Sequence, residues 1–481
     1  MKSLLLYIIG LGLRLATTSA LCQAADSPGH EAEATSNLPT AITASAFDQL
    51  WEAFDRDYAM FALRPEVDWN QLRERYRPKA LASRSTNEFA GVCSEMLKPL
   101  RDLHIWVTVA GQNVPVFNRP RTANANPGAH AAILGQLHEA GQVQWAVTPD
   151  KIGFLAIYGW SDRHIPALCH QVLEQMRNTR GLIVDVRLNG GGSEDLAETV
   201  AGRFLEKEFV YAFSQFRNGP SHTDLTAKLE RRVSPEGPWR YDRPVVLLIG
   251  QKCMSSNESF IAMMSGAQQV TVMGDHTCGS SGNPEIIHLP LDMTVSVPRW
   301  IDYLPDGTPL DERGFQPQIV FHPSLGAFEG ERDDLLTAAL ARLRSAPLPE
   351  QPVAGPAFVP QKEDAAEFVA AVGAVKPEIV ELDPRNGARD VDPTLTELRV
   401  TFNMPMAGGF SWTGGGEHFP AMPTDQRPHW TADRKTCVLP VELKPDWDYH
   451  LGLNSPSFRN FRSAEGVPLN PFPYSFRTRS R

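Results

Sequence analysis

Two short segments of this chain hold residue types that packing alone does not require. The first is "DVRLNGGG" (185–192), where a nearly continuous apolar strand, "GLIVDVRLN" (181–189), ends in Asn189 and three glycines ahead of a helical stretch. Glycines at such a place let the backbone turn sharply and expose N–H groups at a helix start, where negative charge is favoured. The same spacing also fits a plain strand–helix turn. A dinucleotide site is disfavoured, because GxGxxG is absent.

The second segment is "GQKCMSSNESF" (250–260). An apolar strand delivers a short turn with Ser255 and Ser256 at its apex, and Asn257-Glu258 opens a helix. A serine on a strand-to-helix turn presents its hydroxyl at the sheet edge, and the N–H of the following residue points where an oxyanion would form. Ser or Asn before Glu is equally the signature of a helix N-cap, so this segment alone leaves catalysis and capping open.

The elements that would position these segments follow from hydrophobic period. Phe47, Leu50, Trp51 and Phe54 recur at helical spacing from a plausible N-cap at Ser45, and Leu72, Tyr76 and Phe89 to Leu97 continue the pattern. "RDLHIWVTV" (101–109) alternates as a strand, with Leu103, Ile105, Val107 and Val109 on one side. A polar stretch rich in Asn, Pro and Ala spans 111–130. Then strands (151–160, 181–189, 244–250, 269–274) alternate with helices (165–178, 196–205, 258–265). Strands without clean alternation, separated by helices, predict an α/β sheet covered on both faces. Further strands are expected in 285–301 and 315–321, and a closing helix over 333–345. Pro347, Pro349, Pro352, Pro356 and Pro360 mark a linker, and short strands with turn residues beyond Lys376 suggest a small β-sandwich.

A chain of 481 residues exceeds one ordinary core. Its 46 basic against 56 acidic side chains, net −10, include no basic cluster of the kind nucleic acid requires. The N-terminus reads as a secretory signal, with Lys2, the apolar run Leu4 to Leu13 and small residues to Ala25; cleavage is expected after Ala24. Arg14 makes that run too short to span a bilayer. Export to the periplasm or medium is therefore expected. A lipid anchor on Cys22 is the lesser option, because Leu21 precedes it. The remaining cysteines (Cys93, Cys169, Cys253, Cys278 and Cys437) show no metal-ligand spacing, and buried free thiols are expected, with a Cys253–Cys278 bridge left open. No metal or cofactor is expected.

Taken together, "DVRLNGGG", "SSNE", "VMGDHTCG" and "LPDGTPLDERGFQPQ" resemble the tail-specific (C-terminal processing) protease family over roughly residues 45–345. The resemblance implies a helical N-terminal subdomain and a crotonase-like α/β catalytic core. It puts the nucleophile at Ser255, one oxyanion donor at the Ser256 N–H, and the other at Gly190 or Gly191, with Gly191 favoured. In the Ser–Lys branch of the family a lysine stands where this chain has Ser280, within "TCGSSG". The tricorn-core-like branch instead takes a histidine from "L.D.H", here His104 of "LRDLHI". An acid from "LDERG" would orient the imidazole; spacing to Gly314 favours Asp311, with Glu312 close behind. That branch can carry a serine just before the histidine, where this chain has Leu103. His276 is a rival base, Asp102 reads as a local hydrogen-bonding residue and Arg187 as a structural ion-pair partner. Residues 110–150 are too few for the PDZ domain common in processing proteases. The stretch 376–479 resembles a bacterial Ig-like domain, a spacer, docking surface or substrate presenter.

The resulting expectation is an exported serine peptidase acting on peptides or protein C-termini. Its segments are a signal (1–24), a lead-in (25–44), a helical subdomain (45–108), a catalytic domain (109–345), a Pro-rich linker (346–375) and an Ig-like domain (376–481). The alternative is a non-catalytic peptide- or ligand-binding envelope protein on the same scaffold. An oligomer or an envelope partner through the Ig-like domain is a further possibility.

Overall fold

The computed structural model describes residues 38–347, 353, 355–358 and 377–480, apart from 424–425, 456–457, 459, 465–466 and 470. The expected signal, its Cys22, most of the lead-in and most of the Pro-rich linker lie outside the described residues.

The N-terminal helix runs Thr40–Asp57, starting five residues before the expected cap at Ser45. Its buried face is Ala46, Phe47, Leu50, Trp51, Ala53 and Phe54, the set the helical period selects. Asp68 caps the helix Trp69–Leu81 and Ser85 caps Thr86–Leu97, each side chain accepting a first-turn N–H. Trp51 and Trp69 stack at 6.1 Å, and each indole N–H donates to the other's carbonyl at 3.1 and 3.2 Å. These helices share one core with Val107, Val109, Met293, Val295, Val297, Ile301 and Tyr303, so their apolar face is completed by strands from the distant 293–303 region.

A seven-stranded sheet forms the centre, in the order Ile319–Val320, Val270–Gly274, Val245–Ile249, Gly181–Asp185, Ile152–Ile157, Val143–Val147, His138–Ala140. The first five run parallel and the last two are antiparallel additions. Helices Ile165–Gln175, Glu194–Ala201 and Ser256–Ser265 contribute to the core on one face, and Asp334–Arg344 to the core on the other. That explains why the central strands are apolar on both sides. The two antiparallel strands were not anticipated, because Gln144 and Glu139, both buried, break their apolar pattern.

The expected strand over 101–109 shortens to Val107–Val109, which pairs antiparallel with Met293–Val297. Leu103, Ile105, Val107 and Val109 are nevertheless all buried, as alternation required. Beyond the linker, two antiparallel sheets carry strands Ile379–Asp383, Glu397–Phe402, His429–Trp430 and Thr436–Pro440 in one, and Trp412–Thr413, Asp448–Leu453 and Phe472–Arg477 in the other. Their facing side chains, Leu398, Leu439, Tyr449, Leu451, Tyr474 and Phe476 among them, form a separate β-domain core. Within the linker, Val353 is buried in the main core, and Arg177 donates to its carbonyl at 3.0 Å.

Candidate active site

Ser255 is the N-cap of helix Ser256–Ser265, reached by a short turn from the buried strand Val245–Ile249. Its backbone sits at φ 60°, ψ −135°. Residues with a Cβ avoid such torsions, and holding one there costs about 1–3 kcal/mol, so the surroundings must impose it. The imposing groups are visible. The Ser255 N–H donates to the Ser280 carbonyl at 2.9 Å and to Glu258 Oε2 at 3.2 Å, while the Ser255 carbonyl accepts the Glu258 N–H at 2.7 Å.

Glu258 is buried, and its carboxylate also accepts the Gly279 N–H at 2.7 Å, the Ser280 N–H at 3.0 Å and the Thr277 hydroxyl. Burial pushes this carboxyl up to about 7, against the pull of those donors. A residue legible in the sequence only as a helix-start acid thus pins the serine turn to the 277–280 loop. Phe315 N–H donates to Thr277 Oγ1 at 2.7 Å and Glu312 N–H to the Gly279 carbonyl at 2.8 Å, which fastens the "LDERG" turn behind that loop.

The glycine turn meets the serine turn edge to edge. At Gly191, with φ 105°, an added Cβ would stand 2.8 Å from Ser255 Cβ and 2.9 Å from the Met254 carbonyl, so only glycine permits the approach. Asn257, buried, donates to the Val186 and Asn189 carbonyls at 3.1 Å each and holds the two turns together. The Gly191 N–H already donates to Asn189 Oδ1 at 2.9 Å. The N–H groups of Gly190, Gly192 and Ser256 have no acceptor among the described residues. Ser256 also begins a helix, where the aligned peptide dipoles favour negative charge.

His104 precedes the strand Val107–Val109 and is 1% exposed. Its N–H donates to Asp102 Oδ1 at 2.8 Å, and its carbonyl accepts the Ser296 hydroxyl at 2.6 Å. Ser296 Oγ also accepts the Trp106 N–H at 2.7 Å, so the Met293–Val297 strand grips both sides of the histidine. The ring Nδ1 lies 2.7 Å from Ser280 Oγ. Burial holds the imidazole pKa below the ordinary 6.5; the Asp102 charge opposes this and Arg121 adds to it. His104 and Ser255 therefore converge on one residue. Ser280 meets the ring with its hydroxyl and the serine turn with its carbonyl.

The two expected orienting acids lie elsewhere. Asp311 Oδ2 is 2.6 Å from Arg64 Nη2, a pair almost wholly buried. Burial raises the Asp311 carboxyl while Arg64 pulls it down. Glu312 is half exposed beside Arg101 at 3.4 Å. Neither makes a hydrogen bond to the imidazole. The reason is electrostatic: a fully enclosed guanidinium takes the nearest carboxylate, and sequence spacing to Gly314 carried no information about Arg64. Asp102, by contrast, accepts the His104 N–H and, at 3.0 Å, the Tyr58 hydroxyl.

Other singled-out residues find structural places. Arg187 is buried between Asp185 and Asp333, at 2.6 and 2.8 Å. His276 is half exposed and sits on Asp275 at 2.7 Å. All the described cysteines are free and buried, so Cys253 and Cys278 are not bridged. Arg119 and Arg121, in the polar stretch 111–130, were not foreseen. Arg119 donates to the Cys278 and Gly279 carbonyls, and Arg121 Nη1 lies 3.4 Å from Met254 Sδ. Their positive charge in an Asn- and Pro-rich run was the one available signal. A groove of about 260 Å³ runs past Leu103, Trp106, Phe117 and Arg121.

A mostly parallel sheet thus raises a strained serine between a glycine turn and a buried histidine. Residues 151–321 match the Peptidase family S41 model and residues 39–98 the Tricorn protease C1 domain. Among curated relatives, a carboxy-terminal-processing protease of Bartonella bacilliformis is 28% identical over 30% of this chain and 32% of its own length. The carboxy-terminal processing protease CtpA of Bacillus subtilis is 25% identical over 35% of each. The chain thus spans about a third of the length of these relatives. A crystal structure of a candidate peptidase from Parabacteroides merdae is 27% identical with a TM-score of 0.55, covering 63% of this chain and 96% of that one. Over these segments the chain is similar to the tail-specific protease family.

Proposed function

We propose that this chain is an exported serine peptidase that cleaves peptides or protein C-termini through an acyl-enzyme. Ser255 Oγ attacks the peptide carbonyl while His104 Nε2 takes its proton. The oxyanion is met by the Ser256 N–H and by an N–H of the 190–192 turn. His104 then returns the proton to the leaving amine as the C–N bond breaks, and water releases the acyl group by the same route. A neutral imidazole is the form the first step needs, and burial favours it at pH 7.

The observation that carries this reading is the convergence of Ser255 and His104 on Ser280, across a gap of some 150 residues between base and nucleophile. The strained torsions of Ser255 support it further, since strain of this kind persists where function needs it. Export rests on the N-terminal sequence; among the described residues no helix is long and apolar enough to cross a membrane. The separate β-domain core supports a spacer or docking role for the Ig-like segment.

A fluorophosphonate probe tests the proposal. Wild-type protein is expected to label, and Ser255→Ala and His104→Ala are expected not to. Labelling that persists in Ser255→Ala removes the nucleophile.

A further inference from the structure

We infer that Ser280 is the positioning residue for His104, holding the imidazole by its hydroxyl in the place that an acid takes in a Ser-His-acid triad. The inference rests on the peptidase reading above and specifies what orients its base.

The geometry narrows the choice. An imidazole that accepts a proton at Nε2 must carry its own proton at Nδ1, and whatever accepts from Nδ1 fixes both tautomer and ring direction. The Nδ1 partner is Ser280 Oγ at 2.7 Å, and no other acceptor reaches the ring among the described residues. Ser280 is itself immobilised. It is 2% exposed, its N–H donates to Glu258 Oε2 at 3.0 Å, and its carbonyl accepts the Ser255 N–H at 2.9 Å. One residue therefore sets the separation of nucleophile and base through its own backbone and side chain. Asp311, held by Arg64, and Glu312, beside Arg101, are taken out of that role by their ion pairs. A serine hydroxyl accepts one hydrogen bond without adding charge, so it orients the ring but does not stabilise the imidazolium as a carboxylate would.

The test begins on the full-length wild-type chain. Nitrogen-15 NMR of histidine-labelled protein, with His104 assigned by loss of its signals in His104→Asn, is expected to show Nδ1 protonated and Nε2 bare; the opposite tautomer overturns the inference. Kinetics give the second arm. Ser280→Ala is expected to lower kcat on the order of 10²-fold at unchanged KM, the scale of a misplaced catalytic group, and Ser280→Thr, which keeps the hydroxyl, is expected to restore it. Wild-type kcat in Ser280→Ala, or a loss that threonine does not restore, overturns the positioning role. If the wild-type chain neither labels at Ser255 nor cleaves any peptide, the peptidase reading fails by itself, while the tautomer still judges the hydrogen bond.

Discussion

Glu258 reaches back from the first turn of its helix to accept the backbone N–H of Ser255 at 3.2 Å. The same carboxylate gathers the N–H groups of Gly279 and Ser280. A buried acid thereby fixes the shape of the Ser255 turn.

Stability should therefore depend on the ionisation of Glu258. Its folded-state pKa, about 7, stands above the ordinary 4.5. Between those values the folded chain keeps a proton that the unfolded chain has released. The stabilisation is complete below about pH 4.5 and is lost as pH rises through 7, in total roughly 3 kcal/mol. Chemical denaturation from pH 4 to 8 should show that decline. Glu258→Gln cannot ionise, so the difference between the two proteins should narrow as pH rises. An identical pH slope in both excludes Glu258 as its source.

His104 should set the acid limb of activity below pH 6.5, because burial and Arg121 both disfavour its charged form. Arg121→Gln removes a positive neighbour and should move that limb to higher pH. Asp102→Asn removes the negative neighbour and should move it lower. The rate of fluorophosphonate labelling against pH measures both shifts, and shifts in the same direction would contradict the assignment.

Gly191→Ala should inactivate without unfolding the core. The added methyl meets Ser255 Cβ and the Met254 carbonyl at under 3 Å, at a φ that alanine disfavours. Displacing the proposed oxyanion turn is expected to cost on the order of 10²- to 10³-fold in kcat. Circular dichroism near that of wild type, with labelling lost, is the expected pair of results.

Arg64→Met should destabilise by about 3–5 kcal/mol, because it leaves the Asp311 carboxyl buried without its cation. The loss should shrink in Arg64→Met/Asp311→Asn, where no charge is stranded. Urea unfolding of the two variants checks the order.

What the chain announces by itself is local. The apolar strands 181–185 and 245–249, the helices between them and the Ser255 turn follow from hydrophobic period, glycine placement and helix-start residues, each set by neighbours within a few positions. The alternation at Leu103, Ile105, Val107 and Val109 correctly marks a buried face, yet only Val107–Val109 finds a strand to pair with. Which carboxylate or hydroxyl meets which base was decided in three dimensions. Ser280 and His104 lie 176 positions apart and Arg64 and Asp311 247 apart, and no periodicity links them. Their meetings follow from the pairing of Val107 with Val295 and from the need of an enclosed guanidinium for a counter-charge. Sheet register and buried charge are properties of the assembled core, where water no longer screens the choice.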